Sequence, residues 1–399
     1  MHSGGNVGPN GGCLVKGSVG RLVASILVVS VTIAAHPAAI AHSAGSAAAA
    51  PDPNTYPVVL SGDFTGDGVH DLFFHSPSSA PDVLYDLNDT RFGDPPLDIW
   101  TYDVRGSYRP VVGRFTGGEF VDDILWYAPG AKADVIWAFD GCFDHCDQRP
   151  PYHRLPVTIN GTYTPVAGKF FGYPGDGDDV LWYGRGSIPD SIWDFSADCD
   201  GCPATWTTRP ITVNGASYQP VAGNFVGPVV IDDVFWYNPT GPETIWAFGV
   251  PFEYRYTSIN HPSIQVRGSS YRLAVADLFA DWFEDIVFVG PGAAQDSVWD
   301  FYDDAVYKLA TPEPLTGQYT AVTGVREPSY DQYPEDFFVY DPTATAGRYF
   351  DIDFDNDPSS FVYTRYDFDP APVTDLGIPT AAAATAPNQR PWWIHVPRR

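Results

Sequence analysis

The stretch VVGRFTGGEFVDDILWYAPGAKADVIWAF, residues 111–139, contains the pattern that decides the fold. It reads Val-x-Gly-x-Phe, then a loop that closes on an acidic pair, then Leu/Phe-Trp-Tyr and Ile-Trp-x-Phe. Clear copies run from Pro165 to Phe195 and from Pro220 to Phe248, and weaker ones over Pro57–Leu87, Leu273–Phe301 and Ala321–Phe354. The aromatic residue of the last element recurs roughly every 52 residues, at Tyr85, Trp137, Trp193, Trp246, Trp299 and Phe350.

Each copy consists of short apolar runs bounded by turn residues, and the 399-residue chain contains 38 Gly and 38 Pro. A repeat of this length and composition is typical of a β-propeller blade. We therefore predict an all-β fold, a propeller of six four-stranded blades. Seven blades remain an alternative if both termini complete a degenerate blade. In the second copy, strands are expected at 106–115, Ile124–Tyr127, Val135–Phe139 and between Tyr152 and Asn160.

The repeated tryptophans are apolar residues of strands that are apolar on both faces. Stacked blades bury both faces of each sheet, so these side chains are expected to pack between blades rather than to stack on a ligand. They are Trp126, Trp137, Trp182, Trp193, Trp236, Trp246 and Trp299.

The N-terminal segment differs from the rest of the chain. Lys16 and Arg21 precede an apolar run over 22–35, and Ala39-Ile40-Ala41 fits a small-x-small cleavage site. We interpret residues 1–41 as a secretory signal peptide, with an uncleaved membrane anchor as the alternative. The predicted organisation continues with a linker at 42–56, the propeller at 57–368 and a C-terminal tail at 369–399. After cleavage no segment would insert into a membrane. Residues 391–394 (PWWI) are a candidate extra strand.

The charge of the chain limits its partners. The formal net charge is −27, from 22 basic and 49 acidic residues with histidine neutral. A surface of this sign repels phosphate backbones, which argues against a nucleic-acid partner. It favours cations, cationic surfaces or neutral ligands.

Four cysteines occupy the same loop of two consecutive repeats: Cys142, Cys146, Cys199 and Cys202. In an oxidising compartment the simplest interpretation is two local disulfides, 142–146 and 199–202. The two crossed pairings remain open. A tetrathiolate zinc site is a further alternative, which would need the two loops to converge.

The loop after the first strand of the first repeat is rich in hard oxygen donors. Asp63, Thr65, Asp67 and Asp71 occupy positions 1, 3, 5 and 9, and the Val69 carbonyl occupies position 7. Such a donor set, with glycines that permit a sharp turn, favours Ca²⁺. An EF-hand would place Glu at position 12, where this chain has Phe74, and it would continue as a helix.

This loop resembles the FG-GAP/VCBS repeats of integrin α-chain propellers and of many secreted bacterial proteins. The resemblance extends over about three-quarters of the chain, but the metal motif is strong only in the first copy. It implies a propeller with calcium loops between the first and second strands of blades and ligand binding at the opposite face. It also implies roles in adhesion and carbohydrate recognition.

The other copies depart from the metal motif. The fifth keeps Asp277, Asp281 and Asp285 at positions 1, 5 and 9, so it is a second candidate calcium loop although Trp282 replaces a glycine. The second, third, fourth and sixth copies open with Arg114, Lys169, Asn224 and Val325, and we expect these loops to be empty. Every copy still ends its loop with an acid that can accept backbone N–H groups and hold the turn: Asp71, Asp123, Asp179, Asp233, Asp285 and Asp336.

The sequence contains no nucleophile elbow, P-loop or His-Glu zinc helix, and no catalytic residue is predicted. The loops between second and third strands vary while their flanking strands agree, which is where recognition commonly lies. They are 76–82, 128–134, 184–190, 238–243 and 290–296. We predict a secreted, non-catalytic recognition module for carbohydrate or a cell-surface glycoconjugate. The alternatives are an extracellular polysaccharide lyase or hydrolase, with its site in the central depression of the propeller, and a protein-binding adhesion scaffold.

Overall fold

The strands of this computed structural model follow the sequence repeat. The structure describes residues 58–77, 81–87, 98–116, 121–130, 133–141, 149–171, 177–196, 205–214, 218–226, 231–248, 257–259, 266, 271–290, 296–302, 305–310, 315, 319, 321–325, 335–341, 346–353, 362–368 and 393–395. The predicted signal peptide and linker, the four cysteines and most of the tail lie outside these residues. Within the described ranges, no helix is long and apolar enough to cross a membrane.

Six antiparallel sheets form, one from each repeat. The first contains β1 (Val58–Gly62), β2 (Asp71–His75), β3 (Asp82–Tyr85) and β4 (Ile99–Tyr102); the second β5 (Arg109–Gly113), β6 (Asp123–Tyr127), β7 (Asp134–Phe139) and β8 (Tyr152–Val157); the third β9 (Tyr163–Gly168), β10 (Asp179–Gly184), β11 (Asp190–Ser196) and β12 (Thr205–Ile211). The fourth contains β13 (Gln219–Gly223), β14 (Asp233–Tyr237), β15 (Thr244–Ala247) and β16 (Thr257–Ile259); the fifth β17 (Arg272–Ala276), β18 (Asp285–Val289), β19 (Ser297–Tyr302) and β20 (Ala305–Ala310); the sixth β21 (Ala321–Val325), β22 (Asp336–Asp341), β23 (Ala346–Asp353), β24 (Val362–Phe368) and β25 (Trp393–His395). All four strands predicted for the second copy are thus confirmed.

The second strand of each sheet is buried along its whole length. In β6 every residue from Asp123 to Tyr127 is buried, and the same is true of β2, β10, β14, β18 and β22. Neighbouring sheets cover both faces of these strands. Trp182 of the third sheet packs edge-on against Tyr127 of the second, with ring centroids 5.2 Å apart. The prediction that these tryptophans fill the space between blades is confirmed for Trp126, Trp182 and Trp236, which are nearly inaccessible to solvent.

The apolar core is divided among the junctions between sheets. Each of six apolar clusters joins residues of two consecutive sheets, and one of them joins Phe74 and Tyr85 of the first sheet to Phe338 of the sixth. The first strands contact one another in the order β1, β5, β9, β13, β17, β21 and back to β1. The fold is therefore an all-β propeller with four-stranded blades.

The number of four-stranded blades differs from the prediction. Five sheets have four strands, not six, because the sheet of the sixth repeat has five. Its additional strand, β25, pairs with β24 and places Trp393 opposite Phe368. Part of the candidate strand at 391–394 is thereby confirmed. The seven-bladed alternative is wrong for the described residues, where the first sheet is complete from residues 58–102 and the tail adds a strand instead of a blade.

A tyrosine hydroxyl joins the second blade to the third. Tyr127 Oη donates to the Gly161 carbonyl at 2.8 Å and accepts the Tyr163 backbone N–H at 2.9 Å. Tyr237 accepts the Tyr271 N–H in the same way at 3.1 Å. The hydroxyl satisfies backbone groups in the turn between blades.

Tyr127→Phe is expected to lower the free energy of unfolding by about 1–2 kcal/mol, because it removes two hydrogen bonds without changing the packing of the ring. Denaturant unfolding measures the change. Tyr307→Phe is the matched control, since the Tyr307 side chain is exposed. Equal losses in both variants would contradict the assigned role.

Candidate functional site

The loop that joins the first and second strands of a blade is held by its closing acid. Asp123 Oδ2 accepts the Phe115 N–H and the Thr116 hydroxyl, both at 2.9 Å, and Asp123 Oδ1 accepts the Phe139 N–H at 3.1 Å. Asp179 and Asp233 bind the corresponding backbone groups of their own repeats. The predicted structural role of the closing acid is thus confirmed in the second and fourth copies and extends to the third. In the sixth copy, Asp336 accepts the hydroxyl of Tyr349.

Burial shifts the titration of these closing acids. It raises the pKa of Asp123 to about 7, although the Thr116 hydroxyl and the backbone donors oppose the shift. Burial, and then the charge of Asp194, raises the pKa of Asp179 to about 8. Burial likewise raises the pKa of Asp233 to about 7. The backbone donors therefore compensate only part of the cost of burying these charges.

The first loop folds around its predicted ligands. Asp63 Oδ1 accepts the Gly66 N–H at 2.5 Å, and Asp63 Oδ2 accepts the Gly68 N–H at 2.9 Å. Asp67 Oδ1 accepts the Val69 N–H at 2.9 Å. Gly66 and Gly68 have φ values of 81° and 89°, which residues with a Cβ atom rarely adopt. The glycines predicted to permit the turn do adopt this left-handed geometry.

Two buried oxygens of the first loop have no hydrogen-bond partner, Thr65 Oγ1 and Asp71 Oδ1. Asp71 Oδ2 accepts the Phe64 and Thr65 N–H groups, as in the other repeats. The difference lies in Oδ1, whose counterpart in Asp123 accepts a backbone N–H. An unpartnered buried acceptor is costly, which makes these two oxygens candidate ligands for a cation.

The carboxylates of the first loop also destabilise one another electrostatically. Burial first, and then the charges of Asp122 and Asp67, raises the pKa of Asp63 to about 7. Burial and the charges of Asp86, Asp63 and Asp67 raise the pKa of Asp71 well above its usual value. A bound divalent cation would reverse both effects.

The fifth loop has the conformation of the first. Asp277 Oδ1 and Oδ2 accept the Asp281 and Trp282 N–H groups, both at 3.1 Å, and Asp281 Oδ1 accepts the Phe283 N–H at 3.1 Å. Here the two left-handed positions belong to Ala280, with φ 53°, and Trp282, with φ 80°. A non-glycine residue in this region costs about 1–2 kcal/mol, and such strain persists where the surroundings impose it.

A fourth acid next to each candidate calcium loop escaped the sequence analysis. Asp86 and Asp300 occupy the x position of the Ile-Trp-x-Phe element in the first and fifth repeats, where the second and fourth repeats have Ala138 and Ala247. The third repeat also has an acid there, Asp194, which pairs with Arg209. Burial, and then the charge of Asp277, raises the pKa of Asp300 to about 6. Its Oδ1 is shielded and has no hydrogen-bond partner. In the sequence, the first and fifth repeats combine this acid with acids at positions 1, 5 and 9 of the loop. That combination is the pattern that could have indicated its place beside the loop.

The carboxylates predicted as metal ligands lie close enough within each loop for their charges to raise one another's pKa values. Among the residues that the structure describes, no three or more His, Cys, Asp and Glu side chains form a ready-made metal centre. The donor chemistry of the first loop nevertheless fits calcium, because hard oxygens surround a glycine turn and two buried oxygens lack partners. Calcium binding in the first and fifth loops remains a prediction.

A second set of acids, one position before the closing acid, links consecutive repeats. Asp122 Oδ2 accepts the Asp63 N–H at 2.9 Å, and the Asp122 N–H donates to the Asp63 carbonyl at 2.7 Å. The same pair of bonds joins the later repeats, through Asp178 to Arg114, Asp232 to Lys169, Glu284 to Asn224 and Glu335 to Asp277. The first repeat has His70 at this position, 3.8 Å from the Asp122 carboxylate.

The loops between second and third strands are closed by a third set of buried acids. Asp134 Oδ1 accepts the Ala128 N–H and Asp134 Oδ2 the Ile159 N–H, both at 2.8 Å. Asp82, Asp190 and Asp296 bind equivalent groups at 2.5–2.8 Å. The last residue of each loop is therefore part of the scaffold, and only the residues between the closing contacts remain for recognition.

A buried His–Asp pair lies at one of these loops. His75 Nδ1 is 2.8 Å from Asp82 Oδ1, and both side chains are essentially inaccessible to solvent. The ring packs edge-on against Trp126 with centroids 4.9 Å apart. His75 ends the second strand of the first repeat, as Tyr127 does in the second repeat. Like Tyr127, it therefore lies at the junction between two blades.

Comparison with known proteins gives only distant structural similarity. No protein-family model and no curated protein matches the chain. A solved structure of BBS1N in complex with ARL6DN is 12% identical, with a TM-score of 0.38, and the match covers 80% of this chain and 92% of that chain. A lectin from Agrocybe aegerita, described as recognising non-reducing terminal N-acetylglucosamine, is 11% identical with a TM-score of 0.43, covering 76% and 78% of the two chains. At this level of similarity neither structure supports a functional argument.

Proposed function

We propose that this protein is a secreted, calcium-stabilised β-propeller of the FG-GAP/VCBS type that acts as a non-catalytic recognition module. Carbohydrate, or a cell-surface glycoconjugate, is the proposed ligand class. The observation that supports recognition is the fixed closure of the loops between second and third strands, whose residues vary in sequence. Rigid loop ends reduce the entropy lost on binding, and variable loops on such a scaffold are where recognition commonly lies.

The polar and acidic composition of these loops favours a ligand rich in hydroxyl groups. The loop at 184–190, which is fully described, has four exposed residues, Arg185, Gly186, Ser187 and Pro189, between the buried Gly184 and Asp190. Together with the net charge of −27, this argues for a neutral polar ligand. Secretion, which the N-terminal sequence supports, would place the protein where such ligands occur.

Glycan-array binding of the purified protein in calcium, and again in chelator, tests this proposal. A saturable sugar signal is expected, and it should weaken in chelator if calcium holds the loops. A folded protein that binds no glycan in either condition would contradict carbohydrate recognition and favour the protein-binding scaffold. Turnover of a polysaccharide would instead favour the lyase or hydrolase.

Calcium stabilisation rests on the two unpartnered oxygens of the first loop. If the loop binds calcium, Asp67→Ala should lower the Tm in calcium, since it removes a proposed ligand, but should have little effect in chelator. Binding only to the native state stabilises a protein by about 2.7 kcal/mol at a hundredfold excess over Kd. Thermal unfolding measures both conditions.

Asp103→Ala is the control for this measurement, because Asp103 is exposed and pairs only with the exposed Arg105 among the described ion pairs. It should melt like the parent protein with and without calcium. If Asp67→Ala and the parent protein melt equally in calcium, the site in the first loop is refuted.

A further inference from the structure

Trp282 is the most exposed large apolar side chain in the described part of the chain, with 57% of its surface accessible. It lies in the loop between the first and second strands of the fifth sheet. This loop is on the side of the propeller opposite to the loops between second and third strands. Six tryptophans of the repeat are buried between blades and Trp193 is partly buried, so Trp282 contributes no comparable packing to the fold.

The backbone of Trp282 is fixed on both sides although its side chain is exposed. Its N–H donates to Asp277 Oδ2 at 3.1 Å, and its carbonyl accepts the Asn224 Nδ2 amide of the preceding repeat at 2.8 Å. The residue has a φ of 80°, where the equivalent residue of the first loop is Gly68. The loop thus exposes an indole ring at a residue whose left-handed backbone conformation is less strained for glycine.

An acidic residue neighbours Trp282 in the loop. Asp281 directly precedes Trp282 and is partly exposed, and its Oδ1 accepts the Phe283 N–H at 3.1 Å. An exposed aromatic ring, with a partly exposed carboxylate on the preceding residue, offers groups that suit the two faces of a sugar. The C–H groups of a pyranose pack on the ring, and its hydroxyl groups donate to the carboxylate.

From this arrangement we propose that Trp282 and Asp281 form a binding site for a sugar ring on the calcium-loop side of the propeller. The inference rests on the proposed carbohydrate recognition and assigns it a site that neither the repeat pattern nor the variable loops indicated. A cationic ligand is the less suitable occupant, because a calcium ion bound by Asp277, Asp281 and Asp285 would neutralise the attraction of these acids for a second cation.

The test compares three variants of the full-length protein. Trp282→Gly removes the ring and relieves the left-handed backbone, Ala280→Gly relieves the neighbouring left-handed position and keeps the ring, and Tyr307→Ala removes an exposed aromatic ring from β20. An array of oligosaccharides ending in galactose, mannose or N-acetylglucosamine identifies the strongest binder. Its affinity for each variant is then measured by calorimetry in calcium.

Trp282→Gly should melt no lower than the parent protein and should lose at least about tenfold in affinity. Ala280→Gly and Tyr307→Ala should bind like the parent protein. If Trp282→Gly fails to fold, Trp282→Asn replaces it, because asparagine tolerates left-handed φ.

Three results would overturn the inference, and they are distinguishable. If the parent protein binds a glycan and the folded Trp282 variant binds it equally well, the site is refuted while the proposed function stands. If the parent protein binds no glycan, both the site and carbohydrate recognition are refuted. Loss of affinity in Ala280→Gly as well would assign the effect to the loop conformation and not to the ring.

Discussion

Asp123→Ala is expected to lower the free energy of unfolding by about 3 kcal/mol or more. The substitution leaves the buried Phe115 and Phe139 N–H groups and the Thr116 hydroxyl without their acceptor. Each unsatisfied buried group costs about 1–3 kcal/mol. Burying the partly charged Asp123 carboxylate is itself unfavourable, and the substitution removes this cost. We therefore expect a loss near the lower end of the range obtained by summing the three groups.

Chemical denaturation of the variant measures this change. Asp103→Ala is the control, since its side chain is exposed and a surface ion pair contributes about 0–1 kcal/mol. A loss below about 1 kcal/mol in Asp123→Ala would show that water or other groups replace the carboxylate and that the acid does not hold the loop.

Stability in chelator is expected to fall as the pH rises from 5 to 8. Burial raises the pKa values of Asp123, Asp179 and Asp233 from the usual 3.8 to about 7, 8 and 7 in the folded protein. The native state therefore binds more protons than the unfolded chain between about pH 4 and pH 8, and stability decreases with pH across this range. One pKa unit corresponds to about 1.4 kcal/mol, so each of the three carboxyls is expected to contribute on the order of a few kcal/mol across this range.

Melting temperatures across this pH range, with calcium removed, measure the trend. Electrostatic repulsion among the excess acidic residues of this chain, whose net charge is −27, also lowers stability as the pH rises. Asp179→Asn separates the two causes, because it removes the largest of the three shifts and changes the net charge little. Its pH dependence should be flatter, and an unchanged slope would attribute the trend to general repulsion.

The sequence was sufficient for the repeat, its strands and the role of the closing acid, because these depend on local pattern. Apolar runs such as Ile124–Tyr127 formed the buried second strands, and the acid preceding them bound the loop in the second, third and fourth repeats. Five four-stranded blades were found instead of six, because pairing of β25 with β24 joins residues far apart in sequence. No local signal determines such a pairing.

The candidate sites were predictable only in part. Positions 1, 5 and 9 of the loops are visible in the sequence, whereas Asp86 and Asp300 reach them from another strand. The left-handed conformation of Trp282 is one that tryptophan rarely adopts, and local preference would predict glycine at such a position. It is imposed by contacts with Asp277 and Asn224, which come from the same loop and from the preceding repeat.

The acids that link consecutive repeats give the ring a direction. Each reaches backward to the preceding repeat, from Asp122 to Asp63 and onward to the link from Glu335 to Asp277. Where the sixth repeat meets the first, the chain supplies His70, which has no carboxylate to offer Val325. This junction has an apolar cluster but not the carboxylate link of the other five, so we expect it to be the weakest under force. Pulling force applied to the two ends of the chain would open the propeller there first, while the five carboxylate-linked junctions still hold.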